Sequence, residues 1–194
     1  MTRITFTLAL VLTSMTLLTG CLGPALIAGA ATGATMAHDR RTSGTIMEDK
    51  AIQLKADHEL RENVALKKDA HIVVTSYNNN VLIVGQVPSH DASSKIEALV
   101  QNIAEVKKVY NELEVAPPVS MKTISHDSWI TTKIKSSSMN GRAGVDPLRT
   151  KVITENGVVY LMGIVSRAEA DNATELARKV EGVKRVVRVF EYTD

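Results

Sequence analysis

Val81-Leu82-Ile83-Val84-Gly85-Gln86-Val87 and, 78 positions later, Val159-Tyr160-Leu161-Met162-Gly163-Ile164-Val165 are runs of strand-forming residues, each with one glycine set into it. A turn signal precedes each run: Asn78-Asn79-Asn80 before the first, Glu155-Asn156-Gly157 before the second. A segment of helical period follows each. The chain therefore reads as one small unit used twice, and its 194 residues divide into two domains of about 70 residues each.

Outward from the first run, Ile52, Ala56 and Leu60 recur at helical spacing and predict a first helix. Strands follow at 72–77 and 81–87, paired as a hairpin. A second helix over 89–104 buries Ala92, Ile96, Leu99, Val100 and Ile103, and a third strand at 107–115 completes the order helix-strand-strand-helix-strand. The second unit repeats it. Ile130 and Ile134 stand where Ile52 and Ala56 stood, and Asn156-Gly157 predicts a type I′ hairpin. Ser166 with Glu169 forms a capping-box pattern for a helix burying Ala173, Leu176, Ala177 and Val180. Gly182 is expected just past that helix end, before a strand at 183–191. Gly85 is the only glycine in residues 48–115 and aligns with Gly163. Glycine inside a strand marks a bulge or a close backbone approach, so both positions are expected to be structural.

Ahead of the repeats, Arg3 and the apolar run 4–18 have the pattern of a secretory signal, too short for a comfortable membrane span. Leu18-Thr19-Gly20-Cys21 resembles the bacterial lipobox, which implies a signal peptide at 1–20 and acylation of Cys21. Leu22 in place of an inner-membrane retention aspartate implies sorting to the outer membrane. Residues 21–45 are expected to form an acylated start and flexible tether. Cys21 is the single cysteine, so an intramolecular disulfide and a cysteine-rich metal site are excluded.

The 23 basic and 21 acidic side chains nearly cancel, which argues against a nucleic-acid partner. By unit the balance splits: 8 Lys/Arg against 11 Asp/Glu in 48–115, and 11 against 9 in 126–194. The second unit is the one suited to an anionic partner.

Val109-Tyr110-Asn111-Glu112, Asp127-Ser128-Trp129-Ile130-Thr131-Thr132-Lys133, Thr154-Glu155-Asn156-Gly157 and Gly182-Val183-Lys184-Arg185-Val186, in this order on a lipobox-bearing chain, resemble the BON domain. The resemblance implies an α+β fold of two tandem BON domains at 46–115 and 126–194, joined by a linker at 116–125. Each would pack a small three-stranded mixed sheet on two helices. It also implies a non-enzymatic, periplasm-facing outer-membrane lipoprotein, without cofactor or metal, that binds anionic phospholipid (phosphatidylglycerol, cardiolipin). Envelope integrity and division-site roles come with it.

The residues themselves place the contact on the first helix of the second unit. Ile130, Ile134 and Ser137 define its buried side. That places Trp129, Thr132, Ser136 and Met139 opposite, with Lys135 beside them and Lys133 at the flank. Tryptophan favours the membrane-water interface, and each lysine adds about 1 kcal/mol of attraction to an anionic surface. The same position in the first unit is Ala51, so the fold does not require a ring there. Alternatives remain: Trp129 fills the seam between domains, packs on the linker, or belongs to a helical register one residue off, and a rival reading has the same helix bind an envelope-assembly or cell-wall remodelling protein. The domains could touch through Leu113, Val119 or Met121. His126-Asp127-Ser128 holds the letters of a hydrolase triad, but adjacent side chains do not reach that geometry. Asp127 is expected instead to cap the helix.

Overall fold

The computed structural model describes residues 39–63, 69–139, 146 and 149–194. Cys21, the signal segment and most of the expected tether lie outside these residues. Residues 40–194 form one compact unit. Its first half runs α1 (Ser43–Glu62), β1 (His71–Tyr77), β2 (Asn80–Val87), α2 (His90–Gln101) and β3 (Lys108–Val115). The second half runs α3 (Met121–Met139), β4 (Thr150–Glu155), β5 (Val158–Val165), α4 (Arg167–Arg178) and β6 (Arg185–Tyr192). In each half the middle strand of the chain order is also the middle of the sheet: β2 is antiparallel to β1 and parallel to β3, β5 antiparallel to β4 and parallel to β6. Both sheets are therefore mixed, as expected.

Alternation along β2 and β5 decides the layering. Val81, Ile83 and Val87 join Ile52, Ala56, Leu60 and Ile96 in one core, and Val159, Leu161 and Val165 join Ile130, Ile134 and Ala173 in another. The intervening side chains point the other way. Leu82, Val84 and Tyr77 meet Val158, Tyr160, Met162 and Val189 in a third cluster. The two sheets thus pack face to face, with helices on the outer sides, and β2 and β5 are buried on both faces. Of the residues through which the domains could touch, Leu113 packs on the first core and Met121 is 74% exposed, while Val119 reaches the seam through its amide.

Polar groups in the seam are matched. Gln86 Nε2 donates to Glu155 Oε1 at 2.9 Å, its Oε1 accepts from the Val119 amide, and His71 Nε2 lies 3.4 Å from Glu155 Oε2. Lys151 Nζ reaches across to the Ser76 carbonyl at 3.2 Å. Burial, then the nearby Arg41 guanidinium, pulls this lysine down to about 8. Among the described residues no buried side-chain nitrogen or oxygen lacks a partner.

Each middle strand passes its outer neighbour closely at its glycine. A Cβ on Gly85, whose φ is +127°, would stand 1.9 Å from the His71 carbonyl oxygen, and one on Gly163 would stand 2.5 Å from that of Arg149. The expected close approach is real at both places.

Several local expectations change. α1 opens at Ser43, inside the expected tether, because Thr42 caps it by accepting from the Thr45 amide at 3.1 Å. α3 opens at Met121, inside the expected linker, with Ser120 accepting from the Thr123 amide. Asp127 is thus deep in the helix and does not cap it. Its two carboxylate oxygens accept from the Asn156 and Gly157 amides at 2.8 Å each, so it caps the β4–β5 hairpin. Asp49, 78 positions earlier, does the same for Asn78 and Asn79. Ser138 is buried where Ser137 was expected, since it corresponds to Leu60. Gly182 lies beyond the Lys179 C-cap, in the turn to β6, with φ +87°.

The segment entering α1 is tied to the second half. Arg40 donates to Glu169 at 2.8 and 3.2 Å and to the Ile164 carbonyl, and Arg149 donates to the same carboxylate at 2.9 Å. Glu169 also closes the capping box with Ser166. Burial alone would raise its pKa, but the Ser166 amide and the two guanidiniums together hold it down from 4.5 to about 2. A depressed carboxylate contributes stability that is complete above its unfolded value and is lost as pH falls through the folded one. In acid titrations of thermal stability, the advantage of the native protein over Glu169→Gln is therefore expected to be full above pH 4.5 and to vanish between there and about pH 2. A pH-independent gap would contradict the clamp.

Candidate functional site

Ile130 and Ile134, 0% and 2% exposed, fasten α3 to the second core. At about 100° per residue the opposite face must look outward. Trp129, Thr132, Lys133, Lys135, Ser136 and Met139 are all exposed there, and Met139 lies within the helix. Thr132 and Ser136 turn their hydroxyls back onto the Ser128 and Lys133 carbonyls, so their donors are used within the helix.

Trp129 is 41% exposed and is not part of the cluster that fills the seam. Its ring stacks on His126 at 5.6 Å between centroids and 12° between planes, and Lys133 Nζ stands 5.5 Å from its centroid. The His126 ring stacked on it and the Lys133 ammonium near it give the indole partners from its own helix at the surface. An immobilised aromatic beside cations loses little side-chain entropy on binding.

Beyond His126 the surface dips into an open groove of about 620 Å³ between the start of α3, the Asn156-Gly157 turn and the turn at Gly182. Sequence reasoning placed Trp129 but missed this groove. Its signal is a difference between the units: Gly157 and Gly182 stand where the first unit has Asn79 and Glu105.

The letters His126-Asp127-Ser128 serve three separate ends. His126 stacks on Trp129, the Asp127 oxygens are taken by backbone amides, and the Ser128 hydroxyl donates to the Ile124 carbonyl at 3.0 Å. No nucleophile–base pair forms among them.

Residues 48–117 and 126–194 each match the BON domain family. The outer membrane lipoprotein DolP of Haemophilus influenzae is 40% identical over 188 residues, covering 96% of this chain and 96% of that protein. A protein named 21 kDa hemolysin from Actinobacillus pleuropneumoniae is 40% identical over 154 residues, 79% of either chain. Osmotically-inducible protein Y of Escherichia coli is 31% identical over 146 residues, 74% of this chain and 72% of its own. Two family matches in tandem and near full-length identity to such a lipoprotein agree with the duplicated fold: the chain belongs to the BON-domain family, as a dual-domain outer-membrane lipoprotein.

Proposed function

We propose that the second domain rests α3 on anionic phospholipid at the periplasmic face of the outer membrane, held there by acylated Cys21, and supports envelope integrity near division sites. The observation that carries the contact is the exposed, stacked Trp129 on the side of α3 away from Ile130 and Ile134, with Lys133 Nζ 5.5 Å from its ring and Lys135 exposed further along the helix. Among the described residues no helix is long and apolar enough to cross a membrane, so the contact is peripheral. It need not be strong. A short tether holds a domain at an effective concentration on the order of millimolar, at which a contact of about 4 kcal/mol is half-saturated. Two lysines at about 1 kcal/mol each supply about half of that, which leaves about 2 kcal/mol to the Trp129 ring.

The unanchored 40–194 unit is expected to sediment with phosphatidylglycerol or cardiolipin vesicles and not with phosphatidylcholine. Trp129→Glu should abolish sedimentation with unchanged circular dichroism. Undiminished sedimentation of that variant would refute the contact. The competing reading, an adaptor for an envelope-assembly or cell-wall protein, draws on the same held aromatic, because binding hot spots favour tryptophan in preformed settings. It predicts crosslinking through α3 to a protein from detergent extracts and indifference to headgroup charge.

A further inference from the structure

The two domains offer an internal comparison at one place, where the first helix, the hairpin turn and the turn before the last strand converge. The frameworks agree: the Lys107 amide donates to Asn79 O at 2.9 Å, and the Lys184 amide donates to Gly157 O at 2.9 Å. All four turn positions take left-handed backbone: Asn79 (φ 64°), Glu105 (71°), Gly157 (76°) and Gly182 (87°). The first domain reaches this conformation with side chains in place, so the fold does not demand glycine there.

What the side chains do differs. In the first domain Asn79 Nδ2 donates to Glu48 at 3.1 Å, laying an amide and a carboxylate across the spot, with Glu105 adding a second acid. In the second domain His126 replaces Glu48 and two glycines replace Asn79 and Glu105, and the spot is an open groove of about 620 Å³. Lys122 and Lys184 line it, Lys122 standing where the first domain has Gly44. Among the described residues the one acid lining it is Asp127, whose oxygens are both taken by the Asn156 and Gly157 amides. A plugged, acidic place in one copy is thus an open, basic one in the other. His126 forms the groove's wall and also stacks on Trp129, so the groove adjoins the proposed membrane contact.

We infer that this groove binds the phosphate-bearing headgroup of an anionic phospholipid, with Lys122 and Lys184 as its cationic partners, while Trp129 sits beside it at the glycerol level. The inference rests on the membrane reading of α3 and adds the headgroup site that makes the contact selective. A phosphodiester carries one charge and unesterified oxygens that accept from ammonium groups. Lys184 already donates to Asn156 Oδ1 at 3.1 Å, which holds its Nζ at the groove rim. A Cβ on Gly157 would lie 3.1 Å from the Lys184 stem and the Gly182 carbonyl, so Gly157→Asn, the residue of the first domain, should fill the groove from within.

The test uses the full chain in nanodiscs, followed by amide and indole NMR signals. With phosphatidylglycerol discs the Gly157, Gly182 and Lys184 amides should shift relative to phosphatidylcholine discs, together with the Trp129 indole. Adding sn-glycerol-1-phosphate to the phosphatidylcholine discs should shift the same three amides more weakly. Lys122→Glu/Lys184→Glu should lower the preference for phosphatidylglycerol over phosphatidylcholine at least tenfold while the protein stays folded. Gly157→Asn, which keeps the charges of both lysines, should do the same. If the indole responds but the groove amides stay still, the groove is overturned and the α3 contact stands. If neither responds, both fall. If glycerol phosphate or inorganic phosphate shifts the amides and phosphatidylglycerol discs do not, the lipid assignment is overturned in favour of a soluble phosphate ester.

Discussion

Replacing Gly85 with alanine is expected to unfold the first domain or lower its stability by about 4–5 kcal/mol, the range reserved for gross steric conflict in a core. Two conditions act together. The new Cβ would stand 1.9 Å from the His71 carbonyl oxygen, closer than any real contact, and the φ of +127° is one that L side chains rarely adopt. Relief requires β1 to move away from β2. Both faces of β2 are packed, Val81, Ile83 and Val87 against the helices and Leu82 and Val84 against the other sheet, so a shift is resisted from both sides. Gly163→Ala makes the same collision at 2.5 Å without a left-handed φ, and should cost about 1–3 kcal/mol, as overpacking does. Urea midpoints of the two variants check the order, and equal midpoints would show that the backbone conformation at Gly85 is not the added burden.

Asp49→Ala is expected to cost about 3–5 kcal/mol, because it removes one partner of a buried ion pair. The Asp49 carboxylate, 2% exposed, accepts from the Asn78 and Asn79 amides, from the Ser76 hydroxyl and from Arg41 at 2.8 Å. Its loss strands two turn amides and takes a carboxylate partner from Arg41, whose guanidinium also lies over the Tyr77 ring at 3.9 Å. Asp127→Ala strands the Asn156 and Gly157 amides and should be the milder of the pair, because Asp49 holds two turn amides and also the Ser76 hydroxyl and Arg41. Hydrogen exchange at the turn amides gives an independent reading: Asn78 and Asn79 should lose protection first in Asp49→Ala, Asn156 and Gly157 in Asp127→Ala. Protection retained at those amides would mean that the aspartates do not hold the turns.

The duplicated elements were legible because they rest on local chemistry. Asn156 and Gly157 both take positive φ, as a type I′ hairpin needs, and Ser166 and Glu169 close their capping box. Glycine in a strand announced the close backbone approach. The role of Asp127 was misread because a helix start was sought at the nearest capping residue, whereas Ser120 opens the helix and a longer-range bond uses the carboxylate. Its recurrence in phase with Asp49 on the buried side of a helix was the available sign. The seam was missed for a similar reason. β2 and β5 are continuous apolar runs and not alternating ones, and that is the pattern of strands covered on both faces. At the site, helical phase placed Trp129 correctly on the outer face, but its stack on His126 and the groove behind it depend on three segments meeting, which spacing along one helix does not encode.

Trp129 is the only tryptophan of the chain, so its fluorescence reports on the proposed contact without labels. With phosphatidylglycerol vesicles the emission of the 40–194 unit should shift to the blue and be quenched by bromine on the upper acyl chains, while phosphatidylcholine vesicles leave it unchanged. Emission that neither shifts nor is quenched at saturating phosphatidylglycerol contradicts the account.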